Sequence, residues 1–100
     1  MDTKRNYEWD TTITASKVCQ LLENGKIKDL PLDMGKPIGI AQNIIGKVML
    51  KGLSKGHLGL TTGSEYFYDT NGDISTDDTG TILGYALSDT ELLMIDYIIK

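Results

Sequence analysis

Few side chains in this chain of 100 residues could do chemistry, and each has a competing structural role. Asp69-Thr70-Asn71-Gly72-Asp73 opens like a cation-binding loop, but the glycine comes early and Gly80 stands at position twelve, where a bidentate Glu is required. A tight turn accounts for it better. His57 is the sole histidine, so any triad or zinc site would have to run through it, and Ser54, Lys55 and Gly56 beside it predict a solvated loop imidazole. Cys19, the sole cysteine, excludes an internal disulfide and reads as a small buried hydrophobe folded in a reducing compartment. No glycine pattern opens a helix as a phosphate cradle does, and no metal or cofactor is expected.

Asp78-Thr79-Gly80 is the sharpest catalytic candidate, since D-T-G is the active-site triplet of aspartic proteases and Asn43-Ile44-Ile45-Gly46 looks like a piece of the retroviral type. That enzyme is a dimer in which two Asp carboxylates share a proton, each triplet following an apolar strand. Here the triplet follows the polar Ser75-Thr76-Asp77, and the two fragments occur in reverse order. No catalytic constellation survives, so the expectation is a protein that is not an enzyme.

The elements that must carry these residues are mainly strands. A short amphipathic helix is expected over Thr14–Asn24, with Val18, Leu21 and Leu22 on one side and Gly25 as its stop. Nine of the eleven glycines lie beyond Gly35, among short apolar runs that predict strands at Pro37–Gln42, Gly46–Lys51, Tyr66–Asp69, Thr81–Leu87 and Leu92–Ile99. Asn71-Gly72 predicts a hairpin through a primed turn. Residues 1–12 are polar apart from Tyr7 and Trp9. They read as an extended arm that docks either on another molecule or on the domain's own core. Residues 13–100 form a single domain.

An internal repeat runs through that domain, over about 24–53 and 71–98. Asp33–Asn43 aligns without a gap on Asp78–Ser88, both reading D-x-G-x-x-Φ-G-Φ-A, where Φ is apolar. Val48-Met49-Leu50 falls on Leu93-Met94-Ile95, and Asn24-Gly25-Lys26-Ile27 falls on Asn71-Gly72-Asp73-Ile74. A unit used twice buries its apolar faces against its copy. It also sets the residues before Asn24 opposite a strand, in conflict with the helix. Gly35, Gly39, Gly72, Gly80 and Gly84 are its turn and strand glycines, and Gly39 and Gly84 leave bare strand faces that permit close approach. The expected architecture is a small barrel or sandwich of two related β units.

Composition narrows the partners. A net charge of −4 and a pI near 4.7 disfavour nucleic acid, which calls for clustered Lys and Arg. The densest basic stretch, Lys47, Lys51, Lys55 and His57, reads as a solvated face. The amino end carries no apolar leader, and no stretch is long enough to span a bilayer, so secretion by signal peptide and membrane insertion are not expected. The closing strand has one face, Leu93, Ile95, Tyr97 and Ile99, that is wholly apolar. A face of that kind invites cover by another subunit.

From Gly35 to Ile95 the chain resembles the small virion surface proteins of tailed phages, of the capsid decoration, cement or head-fibre-base type. The likeness lies in Gly39-Ile40-Ala41, Gly46-Lys47-Val48, Gly63 through Ser75 with its Tyr66-Phe67-Tyr68-Asp69, and Leu83-Gly84-Tyr85-Ala86-Leu87-Ser88. Similar strands occur in tail-fibre and baseplate modules, and the first 34 residues fall outside the likeness. It implies a non-enzymatic structural protein, often trimeric, made in the bacterial host cytoplasm and seated on a capsid or fibre lattice at the virion surface. Its interface would include Tyr7, Trp9, Leu93, Ile95, Tyr97 and Ile99. The alternatives are a soluble module binding carbohydrate or peptide on Tyr66, Phe67, Tyr68 and Tyr85 and, third, the aspartic protease.

Overall fold

The computed structural model describes residues 2–98, and it is all strand and turn. Nine strands follow in order: β1 (Thr3–Asn6), β2 (Val18–Leu21), β3 (Ile27–Asp29), β4 (Lys36–Ala41), β5 (Lys47–Ser54), β6 (Glu65–Tyr68), β7 (Ile74–Ser75), β8 (Thr81–Ala86) and β9 (Leu92–Met94). They form one antiparallel sheet that does not close into a barrel, in the order β3-β2-β4-β5-β9-β8-β6-β7, with β1 added on β5. No helix occupies 14–24: β2 stands there instead. Val18, Cys19 and Gln20 are all buried, so the segment lies inside on both faces and tertiary packing overrides the helix propensity of Gln, Leu and Glu.

The order of the sheet is one four-strand pattern written twice. β3-β2-β4-β5 is matched by β7-β6-β8-β9, and the ladders of β2 and β6 with their neighbours agree residue by residue. Ala41 opposes Val48 as Ala86 opposes Leu92, and Ile40 opposes Met49 as Tyr85 opposes Leu93, so in the folded chain Val48 and Met49 correspond to Leu92 and Leu93, one residue short of the ungapped alignment on Leu93 and Met94. Cys19 opposes Gly39 and Gln20 opposes Pro37, skipping Ile38; Tyr66 opposes Gly84 and Phe67 opposes Ile82, skipping Leu83. The same bulge therefore recurs at the same place. Both hairpins also turn alike. Gly25 N–H donates to Leu22 O at 3.0 Å, and Gly72 N–H donates to Asp69 O at 3.0 Å. Only the glycine takes a positive φ in each, so the turn at Asn71-Gly72 is not of the expected primed type.

β5 joins the two halves. Its first part pairs with β1 and β4, and its last three residues pair with β9, Leu53 opposite Leu93. Gly52, at φ 108°, lies where the strand passes from one half to the other, a conformation that a side chain would strain. The end of β5 thus stands to β9 as β1 stands to β5, and each repeat has five strands.

Two apolar clusters follow from this arrangement. Ile13, Cys19, Ile27, Ile38, Ala41 and Val48 line one face of the first repeat, and Tyr7 and Trp9 pack over them. The arm therefore docks on its own chain. Val18, Ile40 and Met49, on the other face of that repeat, meet Tyr66, Leu83, Ala86, Leu92 and Met94 of the second. Each large side chain fully buried there contributes about 1.5 to 3 kcal/mol. The repeats are also tied by Val18 N–H donating to Gly72 O at 3.0 Å and by the ion pair of Lys17 with Asp73 at 3.3 Å.

Candidate functional site

The layering leaves one face open. Cys19, Ile38, Ala41 and Val48 are buried under the arm, and their equivalents Tyr66, Leu83, Ala86 and Leu92 are buried under the first repeat. The opposite faces differ. In the first repeat Val18, Ile40 and Met49 are covered by the second. In the second, the matching positions are Glu65, Tyr85 and Leu93, and no part of the described chain covers them. Glu65, Tyr85, Leu93 and Leu53 oppose one another in a row across β6, β8, β9 and β5, and Phe67 opposes Ile82 beside it. Ile82 is 44% exposed, Tyr85 40% and Ile95 48%, more than large apolar side chains on a covered sheet keep.

Of the residues expected at an interface, Leu93 is half-buried, Ile95 and Tyr97 are exposed, and Ile99 lies outside the described residues. Tyr97 folds back toward β1 and β5. Its hydroxyl is 3.4 Å from Thr3 Oγ1, and the Lys51 ammonium lies 5.4 Å from its ring centre. β9 ends at Met94, short of the strand expected to Ile99. Tyr7 and Trp9 are half-buried on the first repeat and stand apart from this face.

The four aromatics expected to form a ligand platform are divided between opposite sides. Tyr66 is buried, its hydroxyl accepting from Thr61 N–H at 2.8 Å. Phe67 and Tyr85 point outward. Tyr68 lines a groove of 490 Å³ between the repeats, with Pro31, Leu32, Pro37 and Thr79.

The glycines act at backbone contacts. A Cβ at Gly39 would run into Met49 O, and one at Gly84 into Leu93 O, so β4 and β8 can lie this close to β5 and β9 only where no side chain intervenes. Gly35 faces Leu21 O and Gly80 faces Tyr68 O, at equivalent places in the two repeats.

One constellation resembles a nucleophile and its base. Ser54 Oγ is 2.7 Å from His57 Nε2 and accepts from Gln42 Nε2 at 3.0 Å. Ser54 is 0% exposed and His57 5%, so the imidazole is a core group, not the solvated one the sequence suggested. Its position follows from the chain reversing after β5, where His57 N–H donates to Thr90 O at 3.1 Å. Burial holds its pKa below the usual imidazole value. A hydroxyl closed on all sides cannot meet a substrate, and these three side chains tie the end of β5 to the loops around it.

Asp78 is exposed, and Asp77 orders the turn: its Oδ1 accepts from Thr79 N–H at 3.0 Å and from Thr79 Oγ1 at 2.8 Å. Both bonds hold Asp77 below the usual carboxylate range. Burial, with a smaller contribution from the Asp29 carboxylate, pushes the Cys19 thiol up to about 12, too high for a thiolate nucleophile at neutral pH. Among the described residues no three His, Cys, Asp or Glu side chains gather as a metal site would require, and no helix is long and apolar enough to cross a membrane. The chain matches no protein-family model, no curated protein and no solved structure.

Proposed function

We propose that this chain is a structural protein that works by docking, and that the outer face of the second repeat is the surface it docks with. One observation carries the reading. The face of the first repeat that corresponds to it, Val18, Ile40 and Met49, is covered by another β layer. The second repeat offers Tyr85 and Leu93 at the same ladder positions, with Ile82 and Ile95 beside them, and none of the described chain lies over them. A sheet face built to be covered is completed by another molecule.

Together with the resemblance to tailed-phage virion surface proteins, this favours a non-catalytic role on a capsid or fibre lattice. The partners are further copies of the chain, as a trimer, and a major capsid or fibre protein. The test is co-sedimentation with shells assembled from a coat protein encoded beside this gene. Binding that is lost on Tyr85→Lys supports the reading. Flanking genes of metabolic type, or no binding to any shell or fibre they encode, would contradict it. The groove beside Tyr68 supports the second reading, a module holding a sugar or short peptide, because 490 Å³ is the size of small-ligand sites.

A further inference from the structure

Ile27 and Ile74 are equivalent residues on the edge strands β3 and β7, but their outer backbone groups meet different fates. In the first repeat Leu22 N–H donates to Lys26 O, and the alternation of the ladder then turns the Ile27 N–H and C=O outward, away from β2. The arm takes both: Ile27 N–H donates to Glu8 O at 2.9 Å, and Asp10 N–H donates to Ile27 O at 2.8 Å. Trp9 thereby pairs in parallel with Ile27 and lays its ring on the cluster beneath. In the second repeat Asp69 N–H donates to Asp73 O, so the Ile74 N–H and C=O turn outward by the same rule. No described backbone or side-chain group bonds to them.

The reason lies in the length of the covering segment. Tyr7 N–H donates to Gly46 O as His57 N–H donates to Thr90 O, and Ile13 packs on its repeat as Leu60 packs on the second. Between these anchors the first repeat spans from 7 to 13, and the second only from 57 to 60. The residues that would play the part of Glu8-Trp9-Asp10 are missing. A cleft of 420 Å³ lies in their place, lined by Asp73 and Ile74, by His57, Leu58 and Leu60, and by the 15–17 segment of the first repeat, whose Lys17 pairs with Asp73 at its edge.

We propose that this edge and cleft take an extended peptide segment of a partner protein, with a central aromatic residue, pairing in parallel with Ile74 as Glu8-Trp9-Asp10 pairs with Ile27. Main-chain hydrogen bonds to Ile74 supply the register, and the cleft receives the aromatic ring, the usual division of labour when a peptide adds to an open sheet edge. The occupant's shape is the one the chain already displays on itself. The inference rests on the reading of the protein as a docking module, but uses a surface separate from Tyr85 and Ile95, so either can fail alone.

The experiment is NMR titration of the full 15N-labelled chain with the blocked peptide Asn-Tyr-Glu-Trp-Asp-Thr-Thr, the sequence of residues 6–12. The Ile74 and Ser75 amides should shift with saturation by millimolar peptide, and exchange of the Ile74 amide should slow at least tenfold. A peptide with Ala for Trp should not saturate. Ile74→Pro removes the outward donor at an edge position where proline is tolerated, and should abolish binding. Leu58→Glu, in the lining of the same cleft, should weaken it at least tenfold and serves if the proline variant does not fold. An Ile74 amide unchanged at millimolar peptide, shifts confined to Ile27, or wild-type binding by either folded variant would overturn the proposal.

Discussion

The Ser54 hydroxyl stands 2.7 Å from His57 Nε2, and neither group is open to solvent. A buried imidazole whose pKa is lowered in the folded chain resists a proton that the unfolded chain accepts near pH 6.5. His57 therefore contributes stability that is fully present above about pH 6.5 and is lost as pH falls through that value toward its folded pKa. The melting temperature should drop between pH 7.5 and 5.5, and His57→Gln should flatten that slope. An unchanged slope in the variant would mean that other groups carry it.

Gly39 and Gly84 should tolerate no side chain. Overpacking typically costs about 1 to 3 kcal/mol, and a Cβ here meets backbone that cannot step aside, so Gly39→Val and Gly84→Val should each lose at least that much. Urea unfolding measures it. Wild-type midpoints in both would show that the close approach of β4 to β5 and of β8 to β9 does not require glycine.

Asp77 and Asp78 adjoin in sequence but should respond differently. Asp77→Ala removes two hydrogen bonds to Thr79 that order the turn and should lower the urea midpoint measurably. Asp78→Asn should stay within about 0.5 kcal/mol of the wild type. A reversed order would return Asp78 to consideration as a functional carboxylate.

Gln20 should be the most sensitive polar residue in β2. Its amide donates to Asp29 O at 2.9 Å and Pro31 O at 2.8 Å, and its Oε1 accepts from Asp33 N–H at 2.8 Å. Gln20→Leu leaves all three without their partner and should cost about 2 kcal/mol or more, readable by chemical unfolding. A neutral substitution would show that water replaces the amide.

The same residue explains why part of the fold was hard to read. Within Thr14–Asn24 a polar Gln between Cys19 and Leu21 looks like the wet side of a helix, and only the distant Asp29, Pro31 and Asp33 reveal it as an interior group. The strands around Gly39 and Gly84 were legible because glycine and alternation mark them locally. The alignment of Asn24-Gly25 with Asn71-Gly72 held the information that 18–21 is a strand, since it sets β2 opposite β6. Apolar spacing at Val18, Leu21 and Leu22 pointed the other way. The burial of His57 is hidden for a similar reason: its neighbours Lys55 and Gly56 are loop residues, and burial comes from contacts with Ser54 and the 89–90 turn. Leu93 and Ile95 on the open face of the second repeat are legible in the apolar run that closes the chain, whereas Tyr97 turns back on Thr3 and Lys51. The row formed with Tyr85 and Leu53 required the ladder.

The most direct test of the account is the mass in solution of the wild-type chain and of Tyr85→Lys/Ile95→Lys, by light scattering over a range of concentrations with circular dichroism alongside. The wild type should exceed the 11.0 kDa of one chain, and the double variant should be a folded monomer of that mass. A wild type that stays at 11.0 kDa at every concentration, or a folded variant with the same assembled mass, would contradict the claim that this face is where the protein meets its copies.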